Sequence, residues 1–418
     1  MSLMNRLISD DPLIRAMSLR SVLGAFAQGA FLTGSAVFFT QIARLSPTQV
    51  GLGLTIATAA AFAFSVPLGR LADRVGTREA WFIGSLIEGP LFLSWIWVHS
   101  MTAYVIVSVA AQLLEAFKRA GSGAYRLQVF PKETRVRSMA YMRSALNVGF
   151  ALGAGFGGVI LAFNDLSLVR LVPIFTAGVL LLSAALVLRL PRLERPAHHE
   201  RAAGPTSAAL RNRGFLLVTI LDGVLSTHQV LLNTVIPLWL VEETNAPRVL
   251  LAWLFGTACV MVVVCQVRFA RGVTNVATAL RAEYRAAGAF VVSCAIIWVT
   301  DSTTAWVTIA LVWLAHLTVT AAEMWQSAGE WGLVAELSDP RNPAEYQGVL
   351  QLGNTLGNVW APAAYTWLAI HAGMSGWLTI AGIVALAAAA IGPAARAAER
   401  HLRTAEDSDQ LIVIEPTG

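Results

Sequence analysis

The stretch that decides the fold is Gly69-Arg-Leu-Ala-Asp-Arg-Val-Gly-Thr-Arg78, which lies between two long apolar runs. It holds three arginines and one aspartate, whereas residues 47–68 before it hold no charged residue. A helix needs about 20 mainly apolar residues to cross the hydrocarbon core of a bilayer. The charged stretch is therefore predicted to form a loop at the membrane surface, between two helices that cross the membrane.

The composition extends this prediction to the whole chain. Apolar residues make up 56% of the 418 residues and charged residues 13%, with a mean hydropathy of +0.62. A soluble domain carries about 25% charged residues, so a soluble globule is excluded, as is a disordered chain. The three cysteines, Cys259, Cys265 and Cys294, lie in apolar runs and lack the spacing of a metal site or of a disulfide scaffold.

Apolar runs of sufficient length recur along the chain, which predicts an all-α integral membrane protein with twelve transmembrane helices. The ninth run is the shortest, and its start is the least well defined. The predicted spans are residues 17–42, 47–68, 79–98, 101–124, 137–162, 166–189, 213–240, 248–267, 284–300, 304–329, 345–368 and 376–395.

The distribution of positive charge gives the predicted orientation. With both termini in the cytoplasm, all of the 30 Lys and Arg residues except Arg44, Arg170 and Arg248 fall on the inner side, as the positive-inside rule requires. The net charge of +5 therefore reflects arginine clusters between apolar runs, and no nucleic-acid partner is expected. We expect a multi-pass monomer in the inner (plasma) membrane, surrounded by the lipid bilayer.

The longest connection between spans divides the chain into two pseudo-symmetric six-helix halves. A shift of 208 residues aligns Glu115 with Glu323 and Gly149 with Gly357, which is a weak internal repeat. Parallel halves with a binding site at their interface are typical of carriers. The predicted organisation is an N-terminal half (1–190), a cytoplasmic linker (191–212), a C-terminal half (213–398) and a cytoplasmic tail (399–418).

The loop at residues 69–78 resembles the signature cytoplasmic loop of the major facilitator superfamily, G-x-L-a-D-r-x-G-r-r. Glycine permits a tight turn and close approach of helices, and Asp73 can accept charge-assisted hydrogen bonds from arginines or from a helix N-terminus. The resemblance implies the major facilitator fold, alternating access, and a conformational latch in this loop that favours one access state. The alternative is a generic positively charged turn. The latch residues are Gly69, Asp73, Arg74, Gly76 and Arg78.

A second resemblance lies in the fifth span, Asn147-Val-Gly149-Phe-Ala-Leu-Gly153-Ala-Gly155-Phe-Gly157-Gly158. It is similar to the antiporter motif of the same superfamily, g-x-x-x-G-P-x-x-G-G, with Ala154 in place of the proline. This resemblance points to the drug/proton antiporter group and to export. Gly149, Gly153, Gly157 and Gly158 can form either a hinge or a tight packing face between helices, and both remain open.

Four acidic residues, Glu88, Glu115, Asp222 and Glu323, lie within predicted spans. A charge at the centre of a membrane helix costs about 2.5–3.5 kcal/mol on insertion scales, so such residues are candidates for function. The resemblance places all of them except Glu88 on helices that line the transport cavity. Arg119, four residues after Glu115, can pair with it on one helix face. We predict that these five residues couple transport to protons; the alternative is buried ion pairs or contacts with cavity water.

Amide side chains recur at helical spacing in the seventh and eleventh spans. A stripe of amides facing lipid would leave hydrogen-bonding groups unsatisfied, so these side chains are expected to face protein or water. There they suit a neutral or amphipathic solute; the alternative is hydrogen bonding between helices. The predicted solute-binding residues are Gln28, Gln229, Asn233, Trp325, Gln351, Asn354, Asn358 and Trp360, and the predicted interface anchors are Trp239, Trp306 and Trp377.

Together these features predict a secondary active transporter, and favour proton-coupled export of a drug-like or secondary-metabolite solute. The alternatives are a proton-coupled uptake carrier for a sugar, peptide or organic acid, and a membrane sensor that transports nothing. The sequence contains no P-loop, H-E-x-x-H or G-x-S-x-G motif, so no enzyme activity, catalytic residue, cofactor or metal site is predicted. The expected partners are a small-molecule solute, protons and lipid.

Overall fold

The computed structural model of the chain describes residues 9–163, 165–193, 208–242, 250–300, 303 and 305–414, and the regular secondary structure in these ranges is helical. The helices begin where the sequence supplies caps. Asp11 accepts hydrogen bonds from the backbone amides of Leu13 and Ile14, at 2.7 and 3.3 Å. Ser46 and Gln49 form a reciprocal capping box at the start of the second helix.

Within the described ranges, twelve long helices follow one another along the chain. A π-helical turn, Phe38–Ile42, follows the first of them, and a single helical turn, Ala208–Arg211, precedes the seventh. Their bounds are α1 Pro12–Val37, α2 Pro47–Val75, α3 Thr77–Leu93, α4 Met101–Val129, α5 Arg135–Ala162, α6 Leu166–Val187, α7 Arg213–Leu225 with the further segments His228–Val230, Leu231–Val235 and Ile236–Glu242, α8 Leu250–Phe269, α9 Val276–Thr300, α10 Ala305–Leu337, α11 Pro343–His371 and α12 Gly373–Ile414.

Ten of the helical segments in the described part of the chain are long and apolar enough to cross a bilayer. The other two are α8, whose described apolar segment Trp253–Phe269 is shorter, and α11. The amides Gln347, Gln351 and Asn354 interrupt the apolar sequence of α11. Each of the twelve predicted spans therefore corresponds to a helix of the structure.

Several helices extend beyond the spans that hydropathy predicted. α9 begins at Val276 and not at residue 284, so Glu283 lies inside the helix. α12 continues to Ile414, into the segment predicted to be a cytoplasmic tail. Hydropathy marks only the apolar part of a helix, whereas caps and turn residues determine where the backbone ladder ends.

The seventh span, predicted as one helix over residues 213–240, is interrupted after Leu225. At the break, Ser226 Oγ donates to the carbonyl of Gly223 at 2.9 Å, and Thr227 Oγ1 donates to the carbonyl of Val224 at 2.6 Å. Hydroxyls that bind the preceding backbone compete with the helical ladder and bend it. The chain then resumes through the π-helical segment Leu231–Val235.

The chain divides into two compact units. The first unit contains Met1–Ala203 and Pro343–Gly348, and the second contains Gly204–Asn342 and Val349–Gly418. The change of unit falls in the predicted linker, of which residues 194–207 lie outside the described ranges. The first turn of α11 belongs to the first unit.

Two tryptophans predicted to anchor at the membrane interface are instead buried in the second unit. The rings of Trp239 and Trp377 meet edge to face with 5.4 Å between centroids. Trp239 Nε1 donates to Thr300 Oγ1 at 3.0 Å, and this bond satisfies the indole N–H in the interior. Trp306 is exposed, as an anchor requires.

Candidate functional site

The last two turns of α2 contact the N-terminus of α11 within the first unit. The segment at 69–78, predicted as a loop, is helical except at Gly76, where the chain turns from α2 into α3. The Asp73 carboxylate accepts hydrogen bonds from the backbone amides of Ala344 and Glu345, at 3.0 and 2.8 Å. First-turn amides have no partner within their own helix, and the positive end of the helix dipole favours a carboxylate. One of the two partners that the sequence suggested for Asp73, a helix N-terminus, is therefore present.

Two glycines shape this region: Gly69 in α2, and Gly76 at the turn into α3. A Cβ on Gly69 would lie 3.0 Å from the Glu345 Cα and would collide with the carbonyl oxygen of Ala344. Gly76 has a φ of +110° at the turn between α2 and α3, where residues with side chains are strained. A further contact, which the sequence did not predict, joins Arg70 Nε to Glu345 Oε2 at 3.2 Å.

The arginines of the loop occupy different positions. Arg78 is 7% exposed and donates to the carbonyl oxygens of Leu188 and Leu190, at 2.6 and 3.0 Å. These carbonyls follow the end of α6, where the helix supplies no partners. Arg74 is exposed. Arg78 therefore holds the start of α3 to the end of α6, and this contact does not involve α11.

Charged residues on α1, α3 and α4 form a polar centre in the first unit. We call it the Lys118 cluster; its members are Arg20, Glu88, Glu115, Lys118 and Arg119. Lys118 Nζ lies 2.7 Å from Glu88 Oε2 and 2.5 Å from Glu115 Oε2. Arg119 Nη2 lies 3.2 Å from Glu115 Oε1, so the i,i+4 pair expected from the spacing is present. Each acid of this cluster is thus matched by a cation, which is what buried charges require.

Arg20 adds a third cation to the Lys118 cluster, although it was not among the predicted site residues. Its guanidinium lies 4.5 Å from the centre of the Trp81 ring, and its Nη2 donates to Ser85 Oγ at 3.1 Å. Glu88 and Glu115 act on it electrostatically. The signal was available, because an ionisable residue inside a predicted span is a candidate functional residue.

The second unit contains a polar centre of different composition, which we call the Gln326 cluster (Asp222, Gln326 and Glu330). Gln326 Nε2 donates to Asp222 Oδ1 at 2.8 Å and to Glu330 Oε2 at 3.1 Å. Asp222 is 1% exposed, and its Oδ2 has no hydrogen-bond partner among the described residues. An amide carries no charge, so Gln326 does not neutralise the carboxylates that it joins.

The acids predicted for proton coupling therefore occupy three environments. Glu88 and Glu115 share Lys118, Asp222 binds Gln326, and Glu323 is a half-buried residue of α10 whose charge acts on His316 and Cys259. No group of three His, Cys, Asp or Glu side chains in the described ranges is arranged to hold a metal ion.

The predicted solute-binding residues are spread over both units. Gln28 belongs to the first unit and is exposed, whereas the other seven belong to the second. In the seventh helix, Gln229 is half-buried and Asn233 is exposed. Their role in solute binding stays a prediction.

On α11 the amides bond locally. Gln351 Nε2 donates to Thr355 Oγ1 at 3.2 Å, and Asn358 Nδ2 donates to the carbonyl of Asn354 at 2.9 Å. Within the described residues, Asn354 Oδ1 is buried without a partner. Of these three side-chain amides, that of Asn354 is the one with a buried oxygen that accepts no hydrogen bond from the described residues.

The two candidate tryptophans of the second unit have aromatic neighbours. Trp325 lies against Phe269 with 4.7 Å between ring centroids. Trp360 meets Tyr365 edge to face at 5.3 Å. Both indoles are half-buried, so each presents part of its surface outside these contacts.

The glycine-rich face of α5 packs against α1. A Cβ on Gly149, Gly153 or Gly157 would come within 2.8 Å of the backbone of α1, whereas one on Gly158 would meet nothing within 4 Å. Residues four apart lie on one helix face, and their small size allows the two backbones to approach closely. Three of the four glycines therefore lie on a tightly packed face against α1, and Gly158 lies off it.

Gly153→Ala is expected to destabilise the protein by about 1–3 kcal/mol, the usual cost of overpacking. The added methyl group would lie 2.8 Å from the carbonyl carbon of Phe26, and a backbone cannot move aside as a flexible side chain does. Gly158→Ala on the same helix is the matched control, and because its methyl group meets nothing within 4 Å it should leave stability unchanged or slightly raised. Thermal unfolding of both variants in detergent checks this, and equal melting temperatures would contradict the assigned packing face.

The predicted site residues did not include Gln326, Glu330 and Glu283. Gln326 lies inside the predicted tenth span, whereas Glu330, four residues later on α10, lies just beyond the predicted end at residue 329. Glu283 lay one residue before the predicted start of the ninth span and was assigned to a loop. The positive residues Arg281 and Arg285 beside it are typical of a cytoplasmic loop, and this pattern masked a buried position.

Comparison with known proteins gives a family match over most of the chain. Residues 19–329 match the family described as the Major Facilitator Superfamily. The chain is 22% identical over 157 residues to an uncharacterized MFS-type transporter of Methanocaldococcus jannaschii. That alignment covers 38% of this chain and 40% of the relative, which is less than half of its length.

Solved structures share the arrangement of helices. A bacterial homologue of the iron transporter ferroportin, in an outward-facing state, has a TM-score of 0.68 at 13% identity, covering 94% of this chain and 100% of that one. The E. coli fucose:proton symporter has a TM-score of 0.69 at 15% identity, covering 92% and 98%. The human organic anion transporter MFSD10 (TETRAN) has a TM-score of 0.64 at 16% identity, covering 91% and 100%. The predicted twelve-helix fold is confirmed. A shared fold does not identify the transported solute, which has to be inferred from the residues of the site.

Proposed function

Because the chain belongs to the Major Facilitator Superfamily, and is thus a multi-pass membrane transporter and not an enzyme, we propose that it exports a small-molecule solute by alternating access in exchange for protons. The proposed solute is drug-like or a secondary metabolite. The observation that carries the proposed coupling is the buried Asp222 carboxylate, which binds an amide where a cation would otherwise balance its charge.

Ion pairing separates the candidates for proton coupling. In the Lys118 cluster, both Glu88 and Glu115 have a cation within 3.2 Å, so the protein itself balances their charge. At Asp222 no cation does so within the described ranges, and a carboxylate at membrane depth requires either a cation or a proton. We therefore assign proton binding to Asp222 and a structural role to Glu88 and Glu115.

The proposed direction and solute class have separate support. The glycine face of α5 resembles the antiporter motif, which favours export. The amides Gln229, Asn233 and Asn354 offer hydrogen bonds without fixed charge, and Trp325 and Trp360 offer aromatic surface. Such a combination suits a neutral or amphipathic solute.

The contact of Asp73 with the start of α11 is the proposed conformational latch, on the side that we assign to the cytoplasm together with both termini. Charge-assisted hydrogen bonds contribute about 1.5–3 kcal/mol each. Asp73 accepts two of them, and the Arg70–Glu345 ion pair adds a third contact. A state that keeps these bonds is favoured over one that breaks them, and the latch thus sets the access equilibrium.

Flux measurements in everted membrane vesicles test the proposed function. With a panel of amphipathic compounds, at least one is expected to accumulate under a proton gradient and to be released by a proton ionophore. One proton crossing 100 mV supplies about 2.3 kcal/mol, enough for a roughly fiftyfold solute gradient. The absence of any gradient-driven movement would contradict the proposal, and accumulation only in right-side-out vesicles would reverse the direction.

A further inference from the structure

Glu283 is an acidic residue of the second unit that the proposed function does not use. It lies on α9 seven residues after Val276, which is about 10 Å along the helix at 1.5 Å per residue. Its side chain is 0% exposed, and neither of its carboxylate oxygens has a hydrogen-bond partner among the described residues. A carboxylate in such a position is very unfavourable in its charged form.

Among the described residues, the charged groups that act on Glu283 are acidic. Asp222 on α7 and Glu330 on α10 are the two groups whose charge acts on it. The helix α12 also packs against α9, but its first charged residue, Arg396, is exposed. Glu283 is thus the third carboxylate of one region, in which Gln326 is the bridging donor and carries no charge.

The backbone of α10 leaves space for this side chain. A Cβ on Gly329 would lie 2.7 Å from the Glu283 Cδ and would collide with its Oε1. Gly329 directly precedes Glu330 and is one helical turn from Gln326. The Glu283 carboxyl group therefore lies beside the turn of α10 that carries Gln326 and Glu330.

The geometry favours a proton over a metal ion as the group that neutralises this region. A hard metal cation requires about six oxygen ligands at short distances. Among the described residues no three carboxylate, imidazole or thiol side chains are arranged in that way. A proton requires one oxygen, and both oxygens of Glu283 and the Asp222 Oδ2 are available.

We infer that Glu283 is a second proton-binding residue, which together with Asp222 forms a two-carboxylate proton site between α7, α9 and α10. This inference rests on the proposed proton coupling. Interacting carboxylates release their protons as a pair, so the pair and not either residue alone determines the pH range of release.

Infrared difference spectra of the purified full-length protein in liposomes, recorded between about pH 6 and pH 9, test the inference with protons alone as the probe. Exposed carboxyl groups, with ordinary pKa values near 4.3, stay ionised in this range and contribute no carboxylic C=O signal. The wild type is expected to show such a signal at low pH. Glu283→Gln should remove about half of it and Asp222→Asn the other half, as expected for two titrating groups.

Two further variants complete the test. Gly329→Ala keeps Glu283 but displaces its carboxyl group, so the C=O signal should shift in frequency without loss of amplitude. Glu133→Gln removes an exposed carboxylate and should leave the signal unchanged. A Glu283→Gln spectrum identical to that of the wild type, with signal lost in Asp222→Asn, would overturn the inference and leave the proposed function intact. Full signal in both variants would overturn the proposed proton coupling as well.

Discussion

Asp222→Asn is expected to reduce pH-gradient-driven flux to the level of vesicles without the protein, while solute exchange in the absence of a gradient continues. Asparagine has nearly the same shape and can still accept the hydrogen bond from Gln326, but it cannot bind and release a proton. The loss therefore falls on coupling and not on folding. Flux of the same compound, measured with and without an imposed pH gradient in proteoliposomes, separates the two quantities.

Two variants serve as controls for this result. Glu115→Gln removes an acid of the Lys118 cluster, but leaves Lys118 paired with Glu88 at 2.7 Å, and should keep most of the gradient-driven flux. Gln326→Lys places an ammonium group between Asp222 and Glu330, as Lys118 lies between two acids, and should abolish coupling because the cation replaces the proton. Full coupling in Asp222→Asn with loss in Glu115→Gln would reverse the assignment of the two clusters.

Asp73→Asn is expected to slow solute exchange about tenfold or more, with the protein still folded. The substitution removes the carboxylate charge from the N-terminus of α11 and weakens two hydrogen bonds at 3.0 and 2.8 Å. A loss of about 1.4 kcal/mol changes the equilibrium between access states tenfold. Exchange rates in proteoliposomes and labelling of single cysteines from either side measure the rate and the equilibrium separately.

The surrounding residues supply matched variants for the latch. Gly69→Leu should reproduce the effect of Asp73→Asn, because a side chain there collides with the start of α11. Arg74→Gln should be neutral, since Arg74 is exposed although it belongs to the same motif. Exchange rates of Asp73→Asn equal to those of the wild type would contradict the latch.

The fold was predictable because it follows from hydropathy, charge and one loop. The segment at 69–78 located the junction of the second and third helices. Apolar length located the other boundaries to within about five residues, except at the end of α2, the start of α9 and the ends of α10 and α12. The interruption of the seventh helix was not predictable in this way, because it depends on hydroxyl bonds within one turn that hydropathy does not detect.

The candidate sites were only partly predictable, because ionisable residues were identified one at a time. The Glu115–Arg119 pair follows from spacing on one helix, whereas Lys118 joins acids on α3 and α4, and the Asp222–Gln326 contact joins α7 and α10. Contacts between distant helices depend on tertiary packing. Spacing along a single helix does not contain that information.

The break in the seventh helix has a mechanical consequence. Asp222 lies before it, whereas Gln229 and Asn233, proposed to contact solute, lie beyond it. At this break the hydroxyl groups of Ser226 and Thr227 donate to backbone carbonyls of the preceding turn, and the regular helical hydrogen bonds are interrupted. We therefore expect the chain to bend more easily at this joint than within a continuous α-helix. Torsion about this joint can therefore move Gln229 and Asn233 without displacing Asp222, because the two groups lie on different segments of one helix.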